Sequence, residues 1–263
     1  MNQPSDNNPG TPTSDNTPFG AYPPPSPAPQ RTRIEMPQVA PYVTYAIIGI
    51  TALAYFLQWT PPFGNTFIET LIKSNDQIRA GQLWRLLTPA LLHANLMHIG
   101  FNMYALLSFG TGLERHFGHG RFFLLYVLGA FAGNVMSFLM TKADSLGAST
   151  AIFALVGAEA MFLVKNRKLF AGQFRSAIGN IIFIVVINLV VIGSLANVDN
   201  WGHIGGLVGG LIFGWTASPI WEIEGIAPVL HLVDQRPMRE VLTGAALVVL
   251  VFGGLAMWGM IRK

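Results

Sequence analysis

Cysteine is absent from the chain, which removes disulfides, thiolate metal ligands and a cysteine nucleophile together. Charge is scarce as well: Asp, Glu, Lys and Arg make up 11% of the residues, against roughly 25% in ordinary soluble domains. In their place stand hydrophobic residues, 51% of the chain, with a mean hydropathy of +0.45. They come in uncharged stretches close to the roughly 20 residues that carry a helix across a bilayer core. The composition therefore excludes a water-soluble single domain and points to membrane spans. The net charge of +3 and pI near 9.3 would suit nucleic acid if the basic residues were gathered, but they lie in short loops between apolar stretches. No nucleic-acid partner is expected.

Residues 1–41 hold 11 of the 17 prolines and almost no large apolar side chains, a composition that cannot bury a core. A disordered tail is expected, without the pattern of a cleaved signal peptide, so that the first apolar stretch stays as an anchor. Seven candidate spans follow: Tyr42 to Trp59, Leu96 to Leu113, Phe122 to Met140, Gly147 to Val164, Ala177 to Leu195, Gly202 to Ile220 and Val241 to Ile261. The expected fold class is all-α, a polytopic membrane helix bundle. Residues 42–220 form its core, 221–240 a cytoplasmic linker and 241–263 a last transmembrane helix. The stretch 60–95 is too long for a turn and mixes Pro, Gly, Trp and charge with short apolar runs. It reads as a structured loop, partly embedded in the membrane. One alternating set of loops carries ten Lys and Arg and the other six, which places the N-terminus in the cytoplasm and the C-terminus outside; a cell (plasma or inner) membrane is the expected location.

On that topology, His98, Asn102, Ser149 and His203 converge near one side of the bilayer, inside apolar helices where polar groups are costly. His98 and Asn102 are four apart and share a helix face, so both can donate hydrogen bonds inward. Taken alone, such a pair can also simply hold helices together. Ser149 opens its helix in Gly147-Ala-Ser149-Thr150. There it can serve as a cap or as a nucleophile with backbone N–H groups aimed at developing negative charge. His203 starts a helix whose Gly206, Gly210 and Gly214 fall on the same face, a small-residue stripe for close helix contact. Close approach of the Ser149 helix would bring imidazole to hydroxyl, as a general base requires.

Other intramembrane chemistries lack their residues. There is no His-Glu-x-x-His, and His93 and His98 are five apart, about 140° around a helix, so no zinc site is expected. No pair of membrane aspartates exists, since Asp144 and Asp199 fall in loops. Asp199 reads as part of a short exposed loop, which favours a Ser-His dyad over a triad. No metal or organic cofactor is implied.

The residues Gly81-Gln-Leu-Trp84-Arg85, His93-Ala-Asn-Leu-Met-His98-Ile-Gly-Phe-Asn102, Gly147-Ala-Ser149 and Gly202-His203-Ile-Gly-Gly206, in this order, resemble the motifs of rhomboid intramembrane serine proteases. The resemblance covers about Tyr42 to Ile220. It implies a six-helix core plus a seventh C-terminal helix, Ser149 as nucleophile and His203 as base. It further implies oxyanion stabilisation by His98, Asn102 and the Ser149 N–H, a partly embedded Trp84-Arg85 loop, and Phe153 packed on the histidine ring. Gly147 and Gly206 belong to the same supporting set. Rhomboids usually carry Gly after the serine, and Thr150 in its place is expected to narrow the substrate subsite. The implied activity is peptide-bond hydrolysis in or near transmembrane segments of other membrane proteins. The alternative is an inactive rhomboid-like protein that binds transmembrane helices without cutting them. Oligomeric state is not legible.

Overall fold

The computed structural model describes Pro37 and residues 39–194, 198–226 and 229–262. Most of the tail expected to be disordered lies outside the described residues. From Tyr42 onward the chain is mostly helical, and each of the seven apolar segments coincides with a helix.

α1 (Tyr42–Gln58) is followed by a loop region containing α2 (Phe63–Leu71), α3 (Asn75–Arg79) and two single 3₁₀ turns. α4 (Leu96–Ala105) runs through a π-helical turn, Leu106–Gly110, into α5 (Thr111–Phe117) without a break. After Gly118, at φ +77°, come α6 (His119–Met140), α7 (Ser149–Lys165), α8 (Phe174–Val186, continuing irregularly to Ser194), α9 (Asn200–Ala217) and α10 (Met238–Ile261). Among the described residues, three helical stretches are both long and apolar enough to cross a membrane: His119–Met140, Phe174–Ser194 and Met238–Ile261. α1 is apolar but shorter.

The helix starts are set by polar groups supplied locally or at long range. Asn95 caps α4 by accepting the His98 N–H at 2.9 Å. α1 has no cap of its own; buried Glu114 reaches across from α5 and accepts the N–H groups of Val43 and Thr44 at 2.8 and 2.7 Å and the Thr44 hydroxyl at 2.6 Å. A carboxylate at a helix N-terminus suits the dipole. His119 adds a fourth contact to Glu114 at 2.6 Å.

The centre of the bundle is the trio α6, α7 and α9, packed backbone to backbone. A Cβ at Gly206 would overlap the Thr150 carbonyl, one at Gly210 the Ala154 carbonyl, and one at Gly214 would stand 2.8 Å from the Ala158 Cα. The small-residue stripe of α9 thus lies along Thr150, Ala154 and Ala158 of α7. Gly129 and Gly133 of α6 meet Ala154 and Thr150 in the same way. Such contact gives dispersion over a wide area where lipid offers no hydrophobic drive.

One element corrects the all-α expectation. Most of the segment expected to be a plain linker, 221–240, is an antiparallel hairpin, β1 (Trp221–Ile226) paired with β2 (Val229–Asp234). Leu232 is buried beneath it. Asp234 ties it to the bundle by accepting the Ile220 N–H at 3.0 Å and Arg121 at 2.6 Å.

Candidate active site

The loop before α7 begins the site. Gly147 has φ +133°, a conformation that disfavours any side chain, and its N–H is held by the Pro89 carbonyl at 2.9 Å. A Cβ at Gly147 would lie 2.9 Å from the His98 ring and 3.7 Å from Ser149 Oγ. The His98 edge and the serine hydroxyl therefore border the same small space. Ala148 stands at the N-cap of α7 with no side-chain cap, leaving the first-turn N–H groups without intrahelical acceptors.

Ser149 Oγ and His203 Nε2 are 2.9 Å apart. The close contact at Gly206 brings the starts of the two helices together, Ser149 being the first residue of α7 and His203 the fourth of α9. Phe153, one turn below Ser149, stacks on the His203 ring with centroids 4.4 Å apart and planes 8° from parallel. His203 Nδ1 is buried and, among the described residues, has no hydrogen-bond partner. Among the described residues, no carboxylate is hydrogen-bonded to the ring at that nitrogen.

His98 Nδ1 accepts the Ala94 N–H at 3.4 Å, which assigns the proton of a neutral ring to Nε2, the atom facing Gly147. Asn102 is buried, and its amide donates to the His98 carbonyl one turn earlier at 2.9 Å. One amide hydrogen is so occupied, and among the described residues the other has no partner. Trp84 and Arg85 make their hydrogen bonds within the stretch between α1 and α4. Trp84 Nε1 donates to the Thr70 carbonyl at 3.1 Å, and buried Arg85 donates to the Ile72 carbonyl and to Gln82 Oε1, both at 2.7 Å. Their role is to fold the loop between α1 and α4 onto itself.

The structure corrects two expectations. Thr150 does not line a subsite; its side chain is buried against Gly133 of α6 and Gly202 of α9. Asp199 is not in an exposed loop. It caps α9 through the Gly202 N–H at 3.0 Å, and also accepts from Thr141 at 2.9 Å and from Ser137. Burial pushes its carboxyl pKa up, but hydrogen bonds from Ser137, the Gly202 N–H, Ser145 and Thr141 outweigh burial and hold it below the ordinary value.

Other polar residues around the site escaped sequence reading. His93 is fully buried, and its backbone is gripped at both ends by the Gln58 amide, at 3.1 and 3.0 Å. Its Nε2 accepts the Ala148 N–H at 3.4 Å. Burial, with the adjacent His98 ring, lowers its pKa to about 3, so it is neutral at pH 7. Lys73 is likewise fully buried, and burial lowers its pKa to about 8 against the attraction of Asp199 and Asp144. Among the described residues no cluster of His, Asp and Glu is arranged to hold a metal.

The rhomboid domain family model matches residues 80–220, more than half of the chain and all four motifs. The chain belongs to the rhomboid family. It is 43% identical over 174 residues to Rhomboid protease GluP of Bacillus subtilis (strain 168), covering 65% of this chain and 34% of that one. RHOMBOID-like protein 9, chloroplastic, of Arabidopsis thaliana is 32% identical over 152 residues, 57% of this chain and 35% of the relative. Rhomboid-like protease 1 of Toxoplasma gondii is 33% identical over 203 residues, 68% of this chain and 69% of the relative. The chain spans about a third of the length of the first two relatives. With its apolar helices, this rhomboid is an integral, multi-pass membrane protein.

Proposed function

We propose that this rhomboid is an intramembrane serine endopeptidase that hydrolyses peptide bonds in or near transmembrane segments of other membrane proteins. The observation that carries the reading is the 2.9 Å contact between Ser149 Oγ and His203 Nε2, with the ring clamped by Phe153. Ser149 attacks the scissile carbonyl while His203 takes its proton, then returns it to the leaving amine. The tetrahedral oxyanion forms beside the first-turn N–H groups of α7, the His98 Nε2–H and the free amide hydrogen of Asn102. Donors fixed in advance at that point lower the barrier. A Ser-His dyad of this kind needs no metal or cofactor.

The topology belongs to the same proposal. Helices α1, α4–α5, α6, α7, α8 and α9 form a six-span catalytic core at 42–220, and α10 adds a seventh span. The ten-to-six bias in loop Lys and Arg puts residues 1–41 and the hairpin in the cytoplasm and the site near the opposite surface, where water reaches it. A partly unwound substrate helix then presents its backbone to Ser149.

Labelling of the full chain in detergent with a serine-directed fluorophosphonate tests the reading. Wild type is expected to label and Ser149→Ala not to. Equal labelling of the two, in folded protein, would leave a rhomboid that binds helices without cleaving them.

A further inference from the structure

Ser145 lies four residues before Ser149 and Asp199 four residues before His203, and both, half-buried, are bound into one polar cluster around buried Lys73 and Ser137. Lys73, from the loop between α1 and α4, supplies its cation. Lys73 Nζ donates to the carbonyls of Thr141 and Ala143 at 2.9 and 2.7 Å. Its backbone exchanges two hydrogen bonds with Ser145, at 3.1 and 3.2 Å, and Asn75 donates to the Thr141 carbonyl at 3.0 Å. On the other side, Thr141 Oγ1 donates to Asp199 at 2.9 Å, and Ser137 bridges Asp199 to Ser145, which it meets at 3.0 Å. Asp199 then holds the first turn of α9 through the Gly202 N–H. The loop before the nucleophile and the start of the helix bearing the base are therefore fastened to the same side chains.

A fully buried lysine is costly unless its charge is satisfied, so Lys73 needs a structural partner set. It finds that set in the α6–α7 loop and not in solvent. Resting on the proteolytic reading above, we infer that Lys73 and Asp199 are positioning residues, a clamp anchored on buried Lys73 that holds Ser149 and His203 at their distance. Neither touches the reacting atoms. Lys73 fixes the 141–145 loop, Thr141 and Ser137 transmit that position to Asp199, and Asp199 fixes the start of α9.

The test uses the full chain with Lys73→Met, Asp199→Asn and, as a control in the same loop, exposed Lys142→Met. Met fills the volume of Lys73 without its charge, and Asn keeps one side-chain acceptor as a cap. Fluorophosphonate labelling is measured over a range of probe concentrations. Backbone amide hydrogen exchange is followed in peptides covering residues 198–206.

Lys73→Met and Asp199→Asn are expected to lower the limiting labelling rate about tenfold, with half-saturating probe concentration unchanged, as a small misplacement of reacting groups does. Lys73→Met should also speed exchange at 198–206, although Lys73 itself makes no direct hydrogen bond to that segment; Lys142→Met should change neither. A merely stabilising residue would lower the melting temperature and leave the rate per folded molecule intact. Exchange at 198–206 no faster in Lys73→Met than in wild type overturns the clamp whatever the labelling shows. Absence of Ser149-dependent labelling in wild type overturns the protease reading instead, and the exchange result alone then decides the clamp.

Discussion

α6 and α8 are both long apolar helices, yet 67% of the membrane-length stretch of α6 is buried inside the protein and only 6% of that of α8. Composition does not separate them; glycine placement does. α6 brings Gly129 and Gly133 against α7, and α9 brings Gly205 and Gly209 against Met136 and Ala132 of α6. α8 buries Ile181 alone among its residues and turns Ile182, Phe183 and Val190 outward. The candidate catalytic pair follows the same division. Ser149 and His203 sit on the glycine-packed trio, and no candidate catalytic residue sits on α8. A catalytic pair held at hydrogen-bond distance needs neighbours that cannot drift, and helices in backbone contact provide them.

The comparison breaks first at the pair itself. Ser149→Ala or His203→Ala is expected to reduce turnover on the order of 10⁴-fold or more while leaving the melting temperature near wild type, and the double variant should lose no more than either single one. Turnover in Ser149→Ala equal to wild type would sever the chemistry from the trio. Next comes packing: Gly206→Leu forces a side chain into the Thr150 carbonyl and is expected to cost about 4 kcal/mol or more. Thermal unfolding in detergent measures it, and an unchanged midpoint would mean that α7 and α9 separate without penalty.

Asn102→Ala sharpens the division by asking whether a residue beside the trio acts in chemistry or in packing. Loss of one oxyanion donor costs about 2.7–4 kcal/mol, roughly a hundred- to thousandfold in kcat, with KM nearly constant. A destabilised variant with normal kcat would reject the oxyanion role. The smallest effect belongs to α8, where Ile182→Ala should stay within about 0.5 kcal/mol in the same unfolding assay.

Seven helical segments and the Ser149–His203 pair were legible because both leave local marks. Apolar length marks the helices, and polar residues at the ends of apolar runs mark the pair. The glycine spacing of α9 also pointed to its contact face. What escaped was polar and non-periodic. Asp199 read as exposed because it falls in the short stretch between two apolar runs; its partners Ser137 and Thr141 are about 60 residues away and carry no spacing signal. Lys73 counted only as a loop charge in the orientation tally, although its side chain is fully buried. Thr150 was assigned to a cleft from its neighbour in sequence, whereas its helical phase turns it toward α6 and α9. The hairpin did leave a mark, the alternation Trp221-Glu-Ile-Glu, but strands so short among long apolar runs read as connection.

The π-helical turn at Leu106–Gly110 governs the two ends of one helix. Asn102 and Glu114 are twelve residues apart, and along a regular α-helix they would point about 120° away from each other. A π turn accommodates one additional residue, which brings their phase difference down to about 20° at 100° per residue. Asn102, Leu106, Gly110 and Glu114 are accordingly all buried, at an even spacing of four. One strip of helix thus carries the Asn102 amide at one end and the carboxylate that holds α1 at the other. Deleting a single residue from 106–110 would leave eleven residues of regular helix between the two ends and the same phase difference of about 20°, so the π turn works as a phase corrector: it absorbs the one residue that would otherwise turn the Asn102 end about 100° away from the anchored end.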